Sequence, residues 1–322
     1  MSLKHDLLHD VISRDMPNAT QKTYRRGISD FCDWAKGQGL NSRKMDSMAS
    51  ESLRDTIQHY ERYLAEKYES PNTIHTRLAP ICKAFGISME QIDKPQRSAA
   101  TITRGRDATK GQRGQTDALA DKYARVVAFQ KAVGLRRSEL EKLQGKNLTR
   151  DNQGFLCVEV VSGKGGRYQL QRVLPQYEEI VLRTFDGIRQ EQQVFDKWEV
   201  RNNLNFHAMR AEAARAAYRY YAERIAASPA YKEKLQGDLL RRFEADNDRL
   251  RQRSAKDYEK KRTRFLYDLT RGGGKYELRG DNKARAIQAG RETVLDRTAL
   301  MAASVYHLAH GRTDVAATHY ML

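Results

Sequence analysis

The chain has 322 residues, of which 39% are hydrophobic and 31% charged, which suits buried cores and favours two domains. Lysine and arginine outnumber aspartate and glutamate by 58 to 41, giving a net charge of +17 and an isoelectric point near 9.7. The apolar runs are too short for a transmembrane helix, the N-terminus lacks the apolar stretch of a signal peptide, and three widely spaced cysteines argue against a disulfide framework. We therefore expect a cytoplasmic protein with no membrane association, and nucleic acid is the default polyanionic partner.

The first hundred residues have the pattern of a helical bundle. Apolar residues recur at helical spacing over 24–35 and over 53–64, and glycines follow the first of these runs. A Ser-Pro pair, typical of a helix start, precedes a third run over 71–85. This third helix contains Pro80, which should kink or shorten it. We expect residues 1–94 to form an all-α domain.

The composition changes between residues 95 and 115. This stretch holds five basic residues against one acidic residue, a net charge of +4, and only Ile102 is large and apolar. Such a segment is typical of a mobile linker between two domains. It is either simply solvated or lies along nucleic-acid phosphates, and we favour the second interpretation. The basic residues concerned are Arg97, Arg104, Arg106, Lys110 and Arg113.

Helical spacing returns over residues 117–134. Residues 154–161 are β-branched and apolar. Tyr168, Leu170 and Val173 suggest a second strand, and the glycine-rich SGKGG lies between the two stretches. This is the pattern of a β-hairpin with Lys164 at its tip. Because helical patterns resume after the hairpin, we expect residues 116–322 to form a mainly α domain with a small β-sheet, in the α+β class.

Several residues of this second domain could take part in chemistry. GLRRSEL places two arginines at a helix start, HAMR places a histidine and an arginine on one helix face, and AHGRTDVAATHYML holds a histidine and a tyrosine. Each taken singly has an ordinary explanation, namely a surface charge, a capping or core histidine, or a packed tyrosine. Their order along the chain is more specific. The ordered set is Arg136, Lys164, His207, Arg210, His310 and Tyr320.

This ordered set resembles the tyrosine recombinase (phage integrase) family. GLRRSEL is similar to the first arginine box of that family, SGKGGR to its lysine hairpin, HAMR to its second box, and AHGRTDVAATHY to the box that ends in the nucleophile. The resemblance covers the second domain. The helical first domain is similar, more loosely, to the core-binding domain of the family.

The resemblance implies that Arg136 and Arg210 clamp a DNA phosphodiester. A pentavalent phosphorus gathers negative charge, and two guanidinium groups can bind its non-bridging oxygens through paired hydrogen bonds while staying protonated. Lysine could not reproduce that fork geometry. Arg137 stands beside Arg136 and could replace it, although Arg136 is the arginine that follows the Gly-Leu pair of the motif.

The resemblance makes Tyr320 the nucleophile, which would displace the 5′-oxygen and leave a 3′-phosphotyrosyl link. A phenol has a pKa of roughly 10, so the arginines would favour the phenolate and His207 would take its proton. Lys164 would protonate the leaving oxygen, and His310 would donate to a phosphate oxygen. No metal-binding or nucleotide-binding motif is evident in the sequence, so we expect a metal-free reaction without a cofactor.

The sequence departs from the family pattern near its end. The step from His310 to Tyr320 is ten residues, slightly longer than usual, which leaves His307 as an alternative for the last-box histidine. Ala211 follows Arg210 where many members have a second histidine. Only two residues follow Tyr320, whereas many recombinases continue into a helix that docks on a neighbouring subunit.

The interval from Arg210 to His310 is one hundred residues, longer than family members typically have. The additional part corresponds to residues 228–282, which carry twelve basic against seven acidic residues over 231–265, a net charge of +5. Apolar residues recur there near helical spacing, so we expect one or two long charged helices that form an arm outside the catalytic core. The arm is either a solvated insertion without function or an additional contact to DNA or to a second subunit.

The sequence therefore predicts a site-specific DNA recombinase or integrase that closes two domains around duplex DNA and works as a tetramer on two sites. It would act in the cytoplasm on nucleoid DNA, with directionality or accessory factors as further partners. Three alternatives stay open: a resolvase, a type IB topoisomerase-like enzyme of the same chemistry, and a DNA-binding relative that has lost catalysis. The last would be expected to lack part of the ordered set, all of which is present.

Overall fold

The computed structural model describes residues 2–97, 117–163, 168–309 and 311–321. Contacts divide the chain into two compact units, Met1–Thr103 and Arg104–Leu322. The expected fold class, mainly α with a small antiparallel sheet, is confirmed. Six residues of the predicted sites lie outside the described residues, namely Arg104, Arg106, Lys110, Arg113, Lys164 and His310.

The first unit, over its described residues 2–97, consists of helices and their connections. The elements are α1 (Leu3–Val11), α2 (Asn18–Gly37), α3 (Ser42–Asp46), α4 (Ser50–Lys67), α5 (Pro71–Ala84) and a 3-10 turn at Met89–Gln91. Helices α2, α4 and α5 match the three predicted runs, and each ends within three residues of the last residue of its run. Arg97, the basic residue of the predicted linker that is described, is exposed.

Helices α1, α2, α4 and α5 pack around one apolar core, in which Ile28 and Tyr60 are fully buried. Gly27 lets α5 approach α2, since a Cβ atom built there would lie 2.9 Å from Cγ of Pro80. Helix α5 continues through Pro80 to its end at Ala84, so this proline does not shorten the helix. Burial of the ring against α2 offsets the hydrogen bond that the helix loses there.

The second unit begins with short elements and continues into long helices. The first elements are α6 (Asp117–Lys122), α7 (Ala124–Val133), α8 (Arg137–Leu140), β1 (Leu148–Arg150), β2 (Leu156–Val160), β3 (Gln169–Arg172), α9 (Glu178–Phe185), α10 (Lys197–Val200) and α11 (Phe206–Ala227). The later elements are α12 (Pro229–Asp246), α13 (Asp248–Arg253), α14 (Ala255–Thr270), β4 (Lys275–Glu277), α15 (Gly280–Gln288), β5 (Val294–Asp296), α16 (Arg297–Ala302), a π-helix (Ala303–His307) and α17 (Thr313–His319).

The predicted hairpin is confirmed in strands β2 and β3, which pair antiparallel with Val160 opposite Gln169. Strand β1 adds a third antiparallel strand on the other side of β2, and β4 pairs with β5 in a separate two-stranded sheet. Neither β1 nor the β4–β5 pair was expected. Three-residue strands are too short to display the alternation by which a strand is recognised in sequence.

Helix α11 joins two apolar cores of the second unit. Phe206 and Met209 near its start belong to the core formed with α7, the three-stranded sheet and α9. Further along, Ala211, Ala214, Ala217, Tyr218 and Tyr221 belong to the core formed with α12, α14, α16 and α17. Arg210, which is 1% exposed, therefore lies where the two cores meet.

Residues 228–282 correspond to α12, α13, α14, β4 and the start of α15. The two long charged helices expected here exist, as α12 and α14. However, Leu235, Leu239, Phe265 and Leu269 are buried in the same core as the π-helix and the end of α17. The expectation of an arm separate from the rest of the second unit is therefore wrong, because one face of each helix completes this apolar core. Replacing residues 228–282 with a short linker would therefore expose this apolar core and would disturb the end of α17, which packs in it.

Over the described ranges, none of the helices is long and apolar enough to cross a membrane.

Candidate active site

The glycine of GLRRSEL creates a close contact between two helices. Gly134 ends α7 with a left-handed backbone, φ 72°, which a residue without a side chain adopts readily. A Cβ atom built on Gly134 would lie 2.9 Å from the Cβ atom of Ala213 on α11. The close approach brings the carbonyl of Gly134 to the guanidinium of Arg210, whose Nη1 donates a hydrogen bond to it.

Arg136 precedes α8 and is held by a buried carboxylate. The Nη1 atom of Arg136 lies 2.6 Å from Oε1 of Glu139, and the backbone N–H of Arg136 donates to Oε2 at 2.8 Å. Gln169 of β3 donates to the same carboxylate at 3.3 Å. The side chain of Glu139 is 1% exposed and that of Arg136 is 26% exposed. The carboxylate thus fixes one edge of the guanidinium while part of Arg136 reaches solvent.

Arg137, the alternative to Arg136, has a different environment. Its Nη1 and Nη2 atoms donate to the carbonyl oxygens of Asn202 and Leu204, both at 3.0 Å. Its guanidinium also lies 4.7 Å from the ring centroid of Phe206. Arg137 therefore ties α8 to the loop before α11, and Arg136 is the arginine beside Arg210.

The guanidinium of Arg210 is buried and anchored from three sides. Besides the carbonyl of Gly134, it donates from Nη2 to the carbonyl of Leu308 at 2.9 Å and from Nε to the hydroxyl of Tyr320 at 3.4 Å. Burial lowers the pKa of Arg210, the partial charge of Tyr320 opposes this, and the positive charge of Arg136 reinforces it. An arginine keeps its proton under such shifts, so the site holds a fixed positive charge.

Tyr320 lies directly after α17, with its ring beside two residues of α11. The ring centroid is 5.8 Å from that of His207 and 5.8 Å from Cζ of Arg210. His207 is exposed, whereas Tyr320 is 7% exposed. Thus His207 and Arg210, three residues apart on one helix face as predicted, both flank the ring of the proposed nucleophile.

Two arginines that no motif marked hold the backbone around Tyr320. Nη1 of Arg215, on α11, donates to the carbonyl of Tyr320 at 3.0 Å, and Nη1 of Arg291 donates to the carbonyl of Met321 at 3.4 Å. Arg215 follows Arg210 by five residues. That spacing was visible in the sequence, but the acceptors are main-chain atoms and have no sequence signature.

His307, the alternative for the last-box histidine, is part of the π-helix and is enclosed by a polar cluster. It is 3% exposed, its Nε2 atom lies 3.2 Å from the hydroxyl of Tyr221, and its carbonyl accepts from Gln171 of β3. Burial, reinforced by the charge of Arg172, lowers the pKa of His307 to about 3. The imidazole of His307 is therefore held in its neutral form between Tyr221 of α11 and the strand β3.

Tyr306, a second tyrosine near the site, is enclosed in the same cluster. It is 2% exposed, and Cζ of Arg172 lies 3.8 Å from its ring centroid. Arg172 forms a buried ion pair with Asp151 at 2.6 Å, joining β3 to the turn after β1. Burial raises the pKa of Tyr306 to about 12. Burial and the raised pKa make Tyr306 a poor nucleophile.

The structure thus brings Arg136, His207, Arg210 and Tyr320 into one cluster. Lys164 and His310 lie outside the described residues, although the hairpin strands that would carry Lys164 are present as β2 and β3. In the described part of the chain, no group of three or more His, Cys, Asp or Glu side chains could hold a metal ion.

No protein-family model matches the sequence, and no curated protein is significantly similar to it.

Proposed function

We propose that this chain breaks and rejoins duplex DNA by the chemistry of tyrosine recombinases, with Tyr320 as the nucleophile. The observation that carries the proposal is the convergence of Arg136, His207, Arg210 and Tyr320, which come from three separate segments of the chain. Arg210 donates from Nε to the hydroxyl of Tyr320, and the positive charge of Arg136 acts on the same guanidinium. A site for a phosphodiester explains both arginines, because each oxygen of the phosphate accepts hydrogen bonds from guanidinium groups.

Arg136 and Arg210 would bind the non-bridging oxygens of the scissile phosphate. Arg136 is held by Glu139 on one edge and Arg210 by the carbonyls of Gly134 and Leu308, so neither guanidinium must reorganise when charge develops. In this conformation the hydroxyl of Tyr320 accepts from Nε of Arg210. An incoming phosphate oxygen would take that hydrogen bond, which places the hydroxyl next to the phosphorus it attacks.

The covalent step forms one bond and breaks one. The Oη atom of Tyr320 bonds to phosphorus, its proton passes to a base, and the bond from phosphorus to the 5′-oxygen breaks. His207, exposed and beside the ring of Tyr320, is the base that the geometry favours. Lys164, by resemblance, gives the leaving oxygen its proton, and His310 donates to the phosphate. Reversal by a second 5′-hydroxyl rejoins the strand and needs no nucleotide or metal.

The partners of the proposal follow from the reaction. Exchange between two duplexes needs a tetramer on two DNA sites, and the net charge of +17 supplies an attraction for phosphates that is independent of base sequence. The basic residues 97–113 would lie along the DNA backbone. Integration or excision of a mobile element, in the cytoplasm on nucleoid DNA, is the biological setting that the resemblance favours.

The experiment that tests the proposal is capture of the covalent intermediate. The protein is incubated with a pool of duplexes that carry a nick beside a randomised segment, so that a cleaved end diffuses away and the link is trapped. Adducts are recovered as DNA that stays bound to protein in sodium dodecyl sulfate, and are then sequenced. We expect recovery of a restricted set of sequences.

Three results would contradict parts of the proposal. Salt-dependent DNA binding without any adduct would favour the non-catalytic relative. Absence of both binding and adduct would remove DNA as the partner. Rapid relaxation of supercoiled plasmid without a sequence preference would instead favour the topoisomerase-like alternative.

A further inference from the structure

Helix α14 has two faces of opposite character. Tyr258, Phe265 and Leu269 lie on its inner face, are at most 6% exposed, and belong to the core that also contains the end of α17. The ring of Phe265 stacks on that of Phe243 from α12, with centroids 4.5 Å apart. The helix is thus held firmly against the catalytic unit.

The opposite face of α14 carries positive charge. Lys256, Lys260 and Arg264 follow at intervals of four residues and are all exposed. Tyr267 extends this row, with 58% of its side chain exposed. At a rise of about 1.5 Å per residue the cations are spaced about 6 Å apart along the axis. We call these four residues the outer stripe.

The acidic residues of the segment do not neutralise the outer stripe. Four of them form ion pairs within residues 238–271, and none of these four pairs uses a residue of the stripe. Asp257 and Glu259 lie at the flanks of α14, and Asp257 accepts a hydrogen bond from Oγ of Ser254. Over residues 249–264 eight basic residues stand against two acidic ones, a net charge of +6.

We propose that the outer stripe of α14 binds the phosphate backbone of duplex DNA, as a contact separate from the Arg136–Arg210 cluster. The proposal rests on the proposed function, since it supplies the DNA. Regularly spaced cations on a rigid helix suit phosphates, and the exposed ring of Tyr267 suits a sugar beside them. The contact would raise affinity without selecting a base sequence.

Two other occupants fit the stripe less well. A second copy of the chain in a two-fold contact would bring the same cations against each other, which costs free energy. A membrane surface would need an apolar row on the same face, and the outer stripe offers one tyrosine. A DNA duplex brings negative charge to the stripe and needs no apolar row beside it.

The test compares two variants that lose the same charge. The first is K256Q/K260Q/R264Q, in which glutamine keeps the helix propensity of the exposed positions. The control is K146Q/R150Q/R201Q, which removes three exposed cations of the same unit that pair with Glu191, Glu178 and Glu141. Binding to a duplex of about 40 base pairs is measured by fluorescence anisotropy between 50 and 200 mM salt, and adduct formation is measured on the same proteins.

We expect the stripe variant to bind DNA at least tenfold more weakly than the natural protein at 50 mM salt. The slope of log affinity against log salt concentration should be smaller in magnitude by about two to three. The control should differ from the natural protein by less than one in that slope. Adduct formation at saturating DNA should persist in the stripe variant. This last result separates the stripe from the catalytic cluster.

The proposal is overturned if the stripe variant keeps the slope of the natural protein while that protein binds DNA and forms adducts. Such an outcome would leave the proposed function standing. The proposal is equally overturned if the stripe variant keeps the salt dependence of DNA binding but loses binding to phosphatidylserine vesicles. That result would assign the stripe to a lipid surface. A natural protein that neither binds DNA nor forms adducts would instead remove the proposed function itself.

Discussion

The Nε atom of Arg210 lies 3.4 Å from the Oη atom of Tyr320, although 110 residues separate them in the sequence. Both side chains are buried, and the other nitrogens of the guanidinium donate to the carbonyls of Gly134 and Leu308. The tyrosine hydroxyl therefore occupies the place at Arg210 where a phosphate oxygen would bind. In the proposed reaction, this contact couples the nucleophile to the charge of Arg210.

Arg210→Lys should abolish most strand cleavage and also destabilise the fold. An ammonium cannot donate to Gly134, Leu308 and a phosphate in the geometry of a guanidinium, so cleavage should fall by about 100-fold or more. Loss of hydrogen bonds to two buried carbonyls should lower the free energy of unfolding by about 2–4 kcal/mol. Single-turnover cleavage and urea unfolding measure the two effects. Cleavage within threefold of the natural rate would remove Arg210 from the phosphate clamp.

Arg136→Lys and Arg137→Lys form a matched pair of neighbouring substitutions. Arg136 lies beside the charge of Arg210, whereas Arg137 donates to the main chain before α11. We expect Arg136→Lys to lower the cleavage rate at saturating DNA by about 100-fold. Arg137→Lys should lower the unfolding free energy by about 1 kcal/mol and leave the cleavage rate of the folded protein nearly unchanged. The reverse pattern would assign the clamp to Arg137.

Arg215→Ala should slow cleavage by misplacing Tyr320. The substitution removes the hydrogen bond to the carbonyl of Tyr320 and leaves the phosphate clamp in place. We expect the single-turnover rate to fall about tenfold, DNA affinity to stay within twofold, and Arg215→Lys to restore part of the rate. Arg219→Ala, an exposed arginine on the same helix, is the control and should behave as the natural protein. A loss of DNA affinity instead of rate would make Arg215 a phosphate contact.

Stability should depend on pH through His307. Its pKa is about 3 in the folded protein, below the value of about 6.5 for an unperturbed histidine. A folded-state pKa that is lowered means that the unfolded chain binds the proton more readily. The stability that the neutral side chain of His307 contributes is therefore fully present above pH 6.5. It is lost as pH falls toward 3, by up to about 1.4 kcal/mol of unfolding free energy per pH unit.

His307→Gln isolates that contribution. Between pH 7 and pH 5 the natural protein should lose more unfolding free energy than the variant, by about 1–2 kcal/mol. Chemical denaturation at the two pH values gives the difference, and the titration of other groups cancels between the two proteins. Equal losses would show that His307 is protonated in the folded state and that its environment is more polar than its contacts indicate.

The elements that the sequence predicts are those held by local contacts. Regular apolar spacing predicted α2 and α5. Two apolar stretches on either side of a glycine-rich turn predicted β2 and β3. The ion pair between Arg136 and Glu139 is likewise local, because three residues separate the two side chains in the sequence. Each of these depends on a few neighbouring residues, which a sequence displays directly.

The features that the sequence did not predict depend on distant contacts. The buried face of α14 is hidden among its charges, and its place in the core depends on α12, α16 and α17 folding against it. Arg215 donates a hydrogen bond to the main-chain carbonyl of Tyr320, 105 residues away. Because every residue has such a carbonyl, the sequence cannot show which one is the acceptor. The enclosure of His307 likewise comes from β3 and α11, so its spacing from Tyr320 could not show that it is buried.

The central claim is that Tyr320 forms the covalent link to DNA, and the direct measurement is adduct formation by Tyr320→Phe beside Tyr306→Phe. Both variants lose one hydroxyl, and Tyr306 is buried against Arg172 while Tyr320 contacts Arg210. On the nicked duplex pool, we predict adducts from Tyr306→Phe and none above background from Tyr320→Phe, with DNA affinity within twofold of the natural protein in both. Adducts from Tyr320→Phe at the natural level would contradict the account.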